Sequence, residues 1–370
     1  MVKKLISGIL LSGILIPIYG FTQIKGDSSI IKLIAAIDSF SKEPCLKKAN
    51  WGICVLTADS GLTIAASHDT LHLIPASTMK AINTAASLSM LGPDYTFKTF
   101  LYYDGYIDSK GVLHGNIYIK GGGDPSLGTP RIDTMQDMKY ILADWLKYIK
   151  KLGIKKIEGA IVGNASIFDD TIAPSSWNPL DLGMHYGAVA SGLSFHENTF
   201  RVILKPGKKW GDSARIVEID PPIPFMTINN KVTTGGIYTA DDMWVGGKPY
   251  INSRIIKGVI PRDNKEYPVR ASLPDPAFFC AYYLFKTLKD SGIVASDSCT
   301  TLKTLNEQGK YNKNKAITVF YTHKSLPLDT IVYFTNHKSI NCWAEDIIKI
   351  LAYEKTDTGS TLIGTRLVKQ

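Results

Sequence analysis

Apolar residues at Ile30, Leu33, Ile34 and Ile37 recur three and four apart, which predicts an amphipathic helix over residues 28–42 lying against a sheet. Two β-patterned runs, 51–57 and 62–66, flank Asp59-Ser60-Gly61 and read as a hairpin. After the short, mostly apolar approach His72-Leu73-Ile74, a stretch rich in Ala, Leu and Met predicts a helix over 79–91. Pro75 bars an upstream helix and Gly92-Pro93 stops this one. From Tyr95 to about residue 260 the texture changes to short β-like runs (97–103, 112–120, 157–164), with one amphipathic helix at 135–152. Turns thicken from Lys205-Pro206-Gly207 onward, and residues 206–255 read as a small nested module. Helical spacing returns at Phe278, Ala281, Leu284 and Leu288. It recurs as a short helix at 328–335, a loop at 336–341, and a helix whose buried stripe is Trp343, Ile347, Ile350 and Leu351. The pattern as a whole is α+β.

Composition adds a compartment. Lys3 and Lys4, the apolar run 5–18 and the small residue Gly20 are laid out like an export signal over residues 1–23. The run through Phe21 approaches membrane-spanning length, but Pro17 and Gly20 interrupt its end, which favours cleavage over anchoring. Losing those two lysines takes the formal charge from +9 to about +7, a surplus compatible with work near an anionic envelope, peripheral association with a membrane included, and equally with general solubility. No concentrated basic tract of the nucleic-acid kind is present. The five cysteines form no metal pattern. Cys45 with Cys54 and Cys280 with Cys299 are conceivable pairs that would leave Cys342 over, and a chain this long needs no disulfide to build a core. His68 and His72 are four apart with no third ligand, so they read as surface or packing histidines. Neither a metal nor a cofactor is expected.

The candidate chemistry is Ser77-Thr78-Met79-Lys80. A serine and a lysine three apart lie on one helix face and can share a hydrogen bond. Burial and the positive end of the helix dipole both disfavour the ammonium, and a neutral amine can take the serine proton. Spacing alone does not select this pair, because Ser29/Lys32 and Ser39/Lys42 match it within the first helix. Ser77 alone combines a strand-like approach, a proline and a long apolar helix able to bury the lysine. On these residues it is either a nucleophile or an ordinary helix N-cap. Ser339-Ile340-Asn341, on a loop between two helices, can aim a hydroxyl and an amide into a cleft, although Ser176-Trp177-Asn178 has the same spacing. Gly121-Gly122-Gly123-Asp124-Pro125 is followed by no Lys-Ser/Thr and reads as a tight strand-end turn rather than a phosphate cradle.

Four strings in order carry a resemblance: residues 74–80, residues 120–127, Tyr186-Gly187-Ala188 with residues 191–198, and residues 325–328 through Ser339-Ile340-Asn341 to Ala344-Glu345. From about residue 28 to its end the chain resembles the serine D-alanyl-D-alanine carboxypeptidases of the penicillin-binding class with a large insertion between their first and second motifs, peptidase family S13. The resemblance implies a transpeptidase-like domain of the penicillin-binding-protein/β-lactamase kind, in two parts at 24–95 and 266–370, interrupted by a β-rich insertion at 96–265. Ser77 would be the acyl-forming nucleophile and Lys80 its general base. Ser339 and Asn341 would relay protons and hold substrate, and the Ser77 N–H would give one oxyanion donor. The implied partners are peptidoglycan stem peptides ending in D-Ala-D-Ala, with β-lactams as covalent inhibitors, in the periplasm or cell envelope.

One departure is serious. Such enzymes carry a Lys-Thr/Ser-Gly on an edge strand many tens of residues after the second motif, whereas 29 residues follow Asn341 here. Lys355-Thr356-Asp357 lacks the glycine and falls at a helix end, and Thr233-Thr234-Gly235 lacks the lysine and precedes the second motif. The expectation is therefore a chain that stops before its fold and site are complete. It would have an open sheet edge, and the loss of one oxyanion donor would remove roughly 2–4 kcal/mol of transition-state stabilisation. Its own activity is then in doubt. The rival readings are an inactive peptidoglycan-binding protein, a Ser-Lys β-lactamase or esterase, and a plain secreted interaction module.

Overall fold

The computed structural model describes residues 28–370 apart from 133–135, 172 and 241, so the export-signal reading of 1–23 and the expected helix start at Met135 lie outside the described residues. The described residues divide into two compact units, one ending at Ala76 and one spanning Ser77–Gln370.

In the first unit, helix α1 (Ser28–Ser41) and an antiparallel hairpin of strands Ile53–Leu56 and Thr63–Ser67 appear where the pattern places them. The expected stripe is unevenly covered: Ile37 is buried and Ile30 and Leu33 are half-buried, while Ile34 stays exposed. Leu56 and Leu62 on the hairpin are exposed too. Both alternative Ser-x-x-Lys pairs lie on the α1 side of this unit, with Ser29, Lys32, Ser39 and Lys42 exposed. His68 stacks edge-on against Trp51, as a packing histidine does. No strand forms at 72–74; that approach is irregular and Ile74 is exposed.

The second unit is mixed α/β. Its largest sheet among the described residues runs Cys299–Thr301, Ile161–Asn164, Ile117–Lys120, Lys98–Asp104, Ile317–Lys324, parallel at the first two pairings and antiparallel at the last two. Helices α3 (Met138–Lys151) and α4 (Pro276–Asp290) begin at Asp137 and Asp275, whose side chains accept backbone N–H bonds as N-caps. Their buried faces join a core around Trp145, Phe195, Phe200, Phe279 and Leu284. A separate three-stranded sheet, Thr227–Gly235, Ser253–Pro261, Trp244–Gly246, whose first pair is parallel, has its central strand running past the 206–255 bounds read from the turns.

A second core cluster, centred on Trp343, Phe97, Leu328, Ile331 and Ile347, gathers helices α6 (Leu328–His337) and α7 (Asn341–Thr356); the short α5 is Leu302–Glu307. The expected stripe Trp343, Ile347, Ile350 and Leu351 is fully buried. Helix α8 (Thr361–Val368) packs on α7, with Gly364 against the Ile348 carbonyl.

Several boundaries differ from the periodicity. The run 112–120 is two strands, Val112–His114 and Ile117–Lys120, because Asp104 captures the Asn116 N–H and the Asn116 and Tyr118 side chains, breaking the ladder at Gly115. The run 157–164 is likewise split into Lys156–Ile157 and Ile161–Asn164. Helix α6 extends through His337, leaving a connection of only three residues, 338–340, before Asn341 opens α7. All five cysteines are free thiols, so neither conceivable pair forms.

The triple glycine is explained by close backbone approach. A Cβ on Gly121 would stand 2.0 Å from the Gly192 carbonyl oxygen, and one on Gly122 would stand 2.1 Å from that of Lys98. Gly123 takes φ 69°. Asp124 is consequently buried. Its Oδ1 accepts the backbone N–H and hydroxyl of Ser126, Oδ2 meets no partner among the described residues, and burial pushes its pKa up from 3.8 to about 6. Between those values the folded chain binds more protons than the unfolded one, so this group's contribution to stability falls as pH rises. The accumulated penalty above pH 6 is about 3 kcal/mol. Asp124→Asn is expected to flatten that part of the pH 4–6 slope and to raise stability at pH 7.5 by about 1–3 kcal/mol, read from urea midpoints. An unchanged slope would remove Asp124 as its source.

Candidate active site

Ser77 lies in the single 3₁₀ turn Ala76–Thr78, and helix α2 (Met79–Leu91) follows at once, ending at Gly92 with φ 87°. Lys80 is the second residue of α2, one turn beyond Ser77 on the same face, with its Nζ 3.0 Å from Ser77 Oγ. The backbone at Ala76 is left-handed, φ 45°, an unfavourable conformation for a residue with a Cβ and one that clusters where side-chain aim matters.

The other half of the site is delivered by the α6–α7 connection. The Lys338 N–H bonds back to Phe334, the Ser339 N–H to Asn336 and the Ile340 N–H to Thr335, which closes α6 tightly. Ser339 takes φ 54°. Ile340 packs against the Phe97/Trp343 cluster, so its apolar side chain is accommodated away from the polar groups. Helix α2 is clamped to α6 by Thr84, whose hydroxyl donates to the Lys80 carbonyl and accepts from the Asn336 amide.

The result is a closed polar cluster. Lys80 Nζ lies 3.0 Å from Ser77 Oγ, 3.3 Å from Ser339 Oγ and 2.6 Å from Asn341 Oδ1, and the Ser339 hydroxyl donates to Ser77 Oγ at 2.9 Å. Asn341 Nδ2 donates to the Tyr186 carbonyl, which fixes the amide so that its oxygen faces the lysine. Lys80 is only 9% exposed. Burial lowers its pKa below the usual 10.5, and among the described residues no carboxylate forms an ion pair with it to oppose that shift. The three acceptors match the three N–H bonds of the ammonium. When the proton leaves, two N–H bonds still serve Asn341 and Ser339, and the lone pair faces Ser77.

All four residues singled out in the sequence therefore meet, although 262 positions separate Ser77 from Ser339. The two near matches to a third motif stand elsewhere. Lys355 and Thr356 occupy the last turn of α7, where Lys355 Nζ donates to the Met90 carbonyl and Thr356 to that of Ala352. Thr233, Thr234 and Gly235 end the strand Thr227–Gly235 of the nested sheet. Ser176 and Asn178 belong to a local turn in which Asn178 caps the following 3₁₀ helix.

Sequence reasoning missed the support behind Asn341. Asn198 Nδ2 donates to the Val189 carbonyl, Ser194 Oγ and Cys342 Sγ, while buried Asp346 accepts from the Ser191 N–H and the Ser194 hydroxyl. Burial holds the Asp346 carboxyl well above the usual carboxylate range. This network ties residues 189–198 to the first turns of α7. Those residues stood out in the sequence only as a string, with no spacing to assign them a task. Among the described residues no group of three or more His, Cys, Asp or Glu side chains could hold a metal, and no helix is long and apolar enough to cross a membrane.

Comparison with known proteins agrees with this architecture. The curated D-alanyl-D-alanine carboxypeptidase of Actinomadura sp. (strain R39) is 23% identical over 330 residues, 88% of this chain and 58% of that protein. The D-alanyl-D-alanine carboxypeptidase DacB of Haemophilus influenzae is 25% identical over 331 residues, 87% of this chain and 63% of that one. The chain thus spans about six-tenths of the length of these relatives. The crystal structure of penicillin binding protein 4 (DacB) from Haemophilus influenzae shares the fold, with a TM-score of 0.74 at 23% identity over 91% of this chain and 69% of the other. A second structure of that protein, complexed with a novel β-lactam, aligns with a TM-score of 0.67 at 22% identity over 91% and 68%. The D-Ala-D-Ala carboxypeptidase 3 (S13) family matches residues 33–370, nearly all of the described chain, and the chain belongs to that family.

Proposed function

We propose that this chain is a serine D-Ala-D-Ala carboxypeptidase working outside the cytoplasmic membrane on peptidoglycan stem peptides, through an acyl-enzyme on Ser77. One observation carries the reading: a buried lysine with no carboxylate partner among the described residues, hydrogen-bonded at once to Ser77, Ser339 and Asn341. The names of the relatives, and the β-lactam complex of one of them, support the same substrate and inhibitor classes.

The placement of these groups supports the following steps. Neutral Lys80 takes the Ser77 proton as Oγ attacks the carbonyl carbon of the penultimate D-alanine, and the Ser77 backbone N–H donates to the developing oxyanion. The C–N bond breaks, and the departing terminal D-alanine receives its proton through Ser339, which already bridges Lys80 and Ser77. Water then attacks the ester, with Lys80 as base again, and Ser77 regains its proton. Asn341 donates to or accepts from the peptide backbone while keeping Lys80 in line. The same Oγ opens a β-lactam amide and retains it as an ester. Cleavage of D-Ala cross-links uses identical chemistry, with a longer amine as leaving group.

The test is incubation of the chain with a fluorescent penicillin and, separately, with a peptide ending in D-Ala-D-Ala. The readouts are covalent label, intact mass and released D-alanine. A label together with D-alanine release is the expected outcome. Saturable binding of stem peptides with neither label nor release would assign a binding protein instead. A label hydrolysed within seconds, without D-alanine release, would assign a β-lactamase.

A further inference from the structure

A cavity of about 830 Å³ opens in the unit Ser77–Gln370, lined by α3, α4, the strand Thr199–Lys205 and Arg270 of the strand Tyr267–Ser272. None of the four active-site side chains lines it. Part of its wall is apolar, from Met138, Leu142 and Leu146.

Its charges are arranged against the ordinary rules of a sheet. Arg201 and Arg270 are register partners on adjacent antiparallel strands, and like charges directly opposite one another are unfavourable. Both line the cavity together with a third guanidinium, Arg131. Arg201 turns to Asp220, whereas Arg131 and Arg270 share one buried carboxylate, Glu197, which is 4% exposed. Among the described residues, then, three guanidiniums are ion-paired to two carboxylates. Burial and the nearby Arg131 both depress the Arg270 pKa, as expected where positive charge is undercompensated. Glu197 itself is held in an unfavourable backbone: His196, Glu197 and Asn198 have φ 55°, 59° and 54°, three consecutive left-handed residues with no glycine among them.

We propose that this cavity is a binding site for a small organic carboxylate, its anionic end between Arg131 and Arg270 and its carbon body against Met138, Leu142 and Leu146. A guanidinium presents a planar fork that matches a carboxylate, and one added negative charge balances the excess of one. A phosphate dianion would overshoot that balance and leave the apolar wall uncovered. The site is independent of acyl transfer at Ser77, so either reading can fail without the other.

Isothermal titration of the full chain with hexanoate, hexylamine and inorganic phosphate tests it. Saturable one-to-one binding of hexanoate, weakened about tenfold in Arg270→Gln, is expected. Ala143→Phe, at an exposed α3 position on the cavity wall, should block hexanoate while leaving every ion pair intact. Should Arg270→Gln fail to fold because Glu197 loses a partner, Ala143→Phe decides alone. The proposal is overturned if hexanoate does not bind saturably, if phosphate or hexylamine binds as tightly, or if Ala143→Phe leaves hexanoate binding unchanged.

Discussion

Replacing Ser77 by alanine is expected to abolish covalent labelling by penicillin and to lower D-alanine release to the level of the uncatalysed reaction. The side chain removed is the hydroxyl nearest the Lys80 amine, 3.0 Å away against 3.3 Å for Ser339 Oγ, which itself donates to Ser77. In enzymes of the same logic, loss of the nucleophile alone removes on the order of 10⁶-fold in kcat, because base and relay have nothing left to act on. Ser77 is exposed and sits in a short 3₁₀ turn, so truncating its hydroxyl should leave the unfolding midpoint within about 0.5 kcal/mol of the parent. Label persisting in Ser77→Ala at the parental rate would move the nucleophile elsewhere and end the acyl-enzyme assignment.

Lys80→Met should lower the acylation rate by roughly 10³–10⁴-fold while the chain remains folded. Methionine has nearly the same length and no charge, so the desolvation that burdens the buried ammonium disappears, and the midpoint of unfolding should hold or rise. The pH profile separates base from scaffold. Acylation in the parent should climb as Lys80 loses its proton. That limb should fall below pH 10.5, the ordinary lysine value, because burial lowers the pKa. In Lys80→Met the limb should vanish along with the rate. A limb of unchanged position in the variant would show that another group takes the serine proton.

The two parts of the site were legible to different degrees. Helix α2 could be bounded from its own residues, since Pro75 excludes a helix upstream and Gly92 supplies the left-handed cap that ends it. Ser77 and Lys80 followed from that boundary. The α6–α7 connection is about one turn shorter than the pattern predicts: exposed His337 continues α6 by stacking on Tyr333 one turn back, and the N–H groups of residues 338–340 bond to carbonyls of α6 itself. The break at Gly115 escaped for a similar reason: it depends on Asp104, eleven positions earlier, drawing Asn116 out of the ladder.

By itself the sequence determined the α+β class and the order of the motif strings, and it pointed to four polar residues, because these are properties of composition, of order along the chain and of spacings within one or two helical turns. Spacing alone could not separate Ser77/Lys80 from Ser29/Lys32 or Ser39/Lys42; the proline before Ser77 and the long apolar helix after it did. Only the tertiary structure gives that pair its distant partners: α6 and α7 carry Ser339 and Asn341 across 259 to 262 positions to surround Lys80, while the other two pairs stay exposed. The same is true of the cavity whose arginines come from positions 131, 201 and 270. A lysine's basicity and a guanidinium's unmatched charge depend on what the folded chain packs around them, and neighbours so distant along the backbone leave no periodic trace.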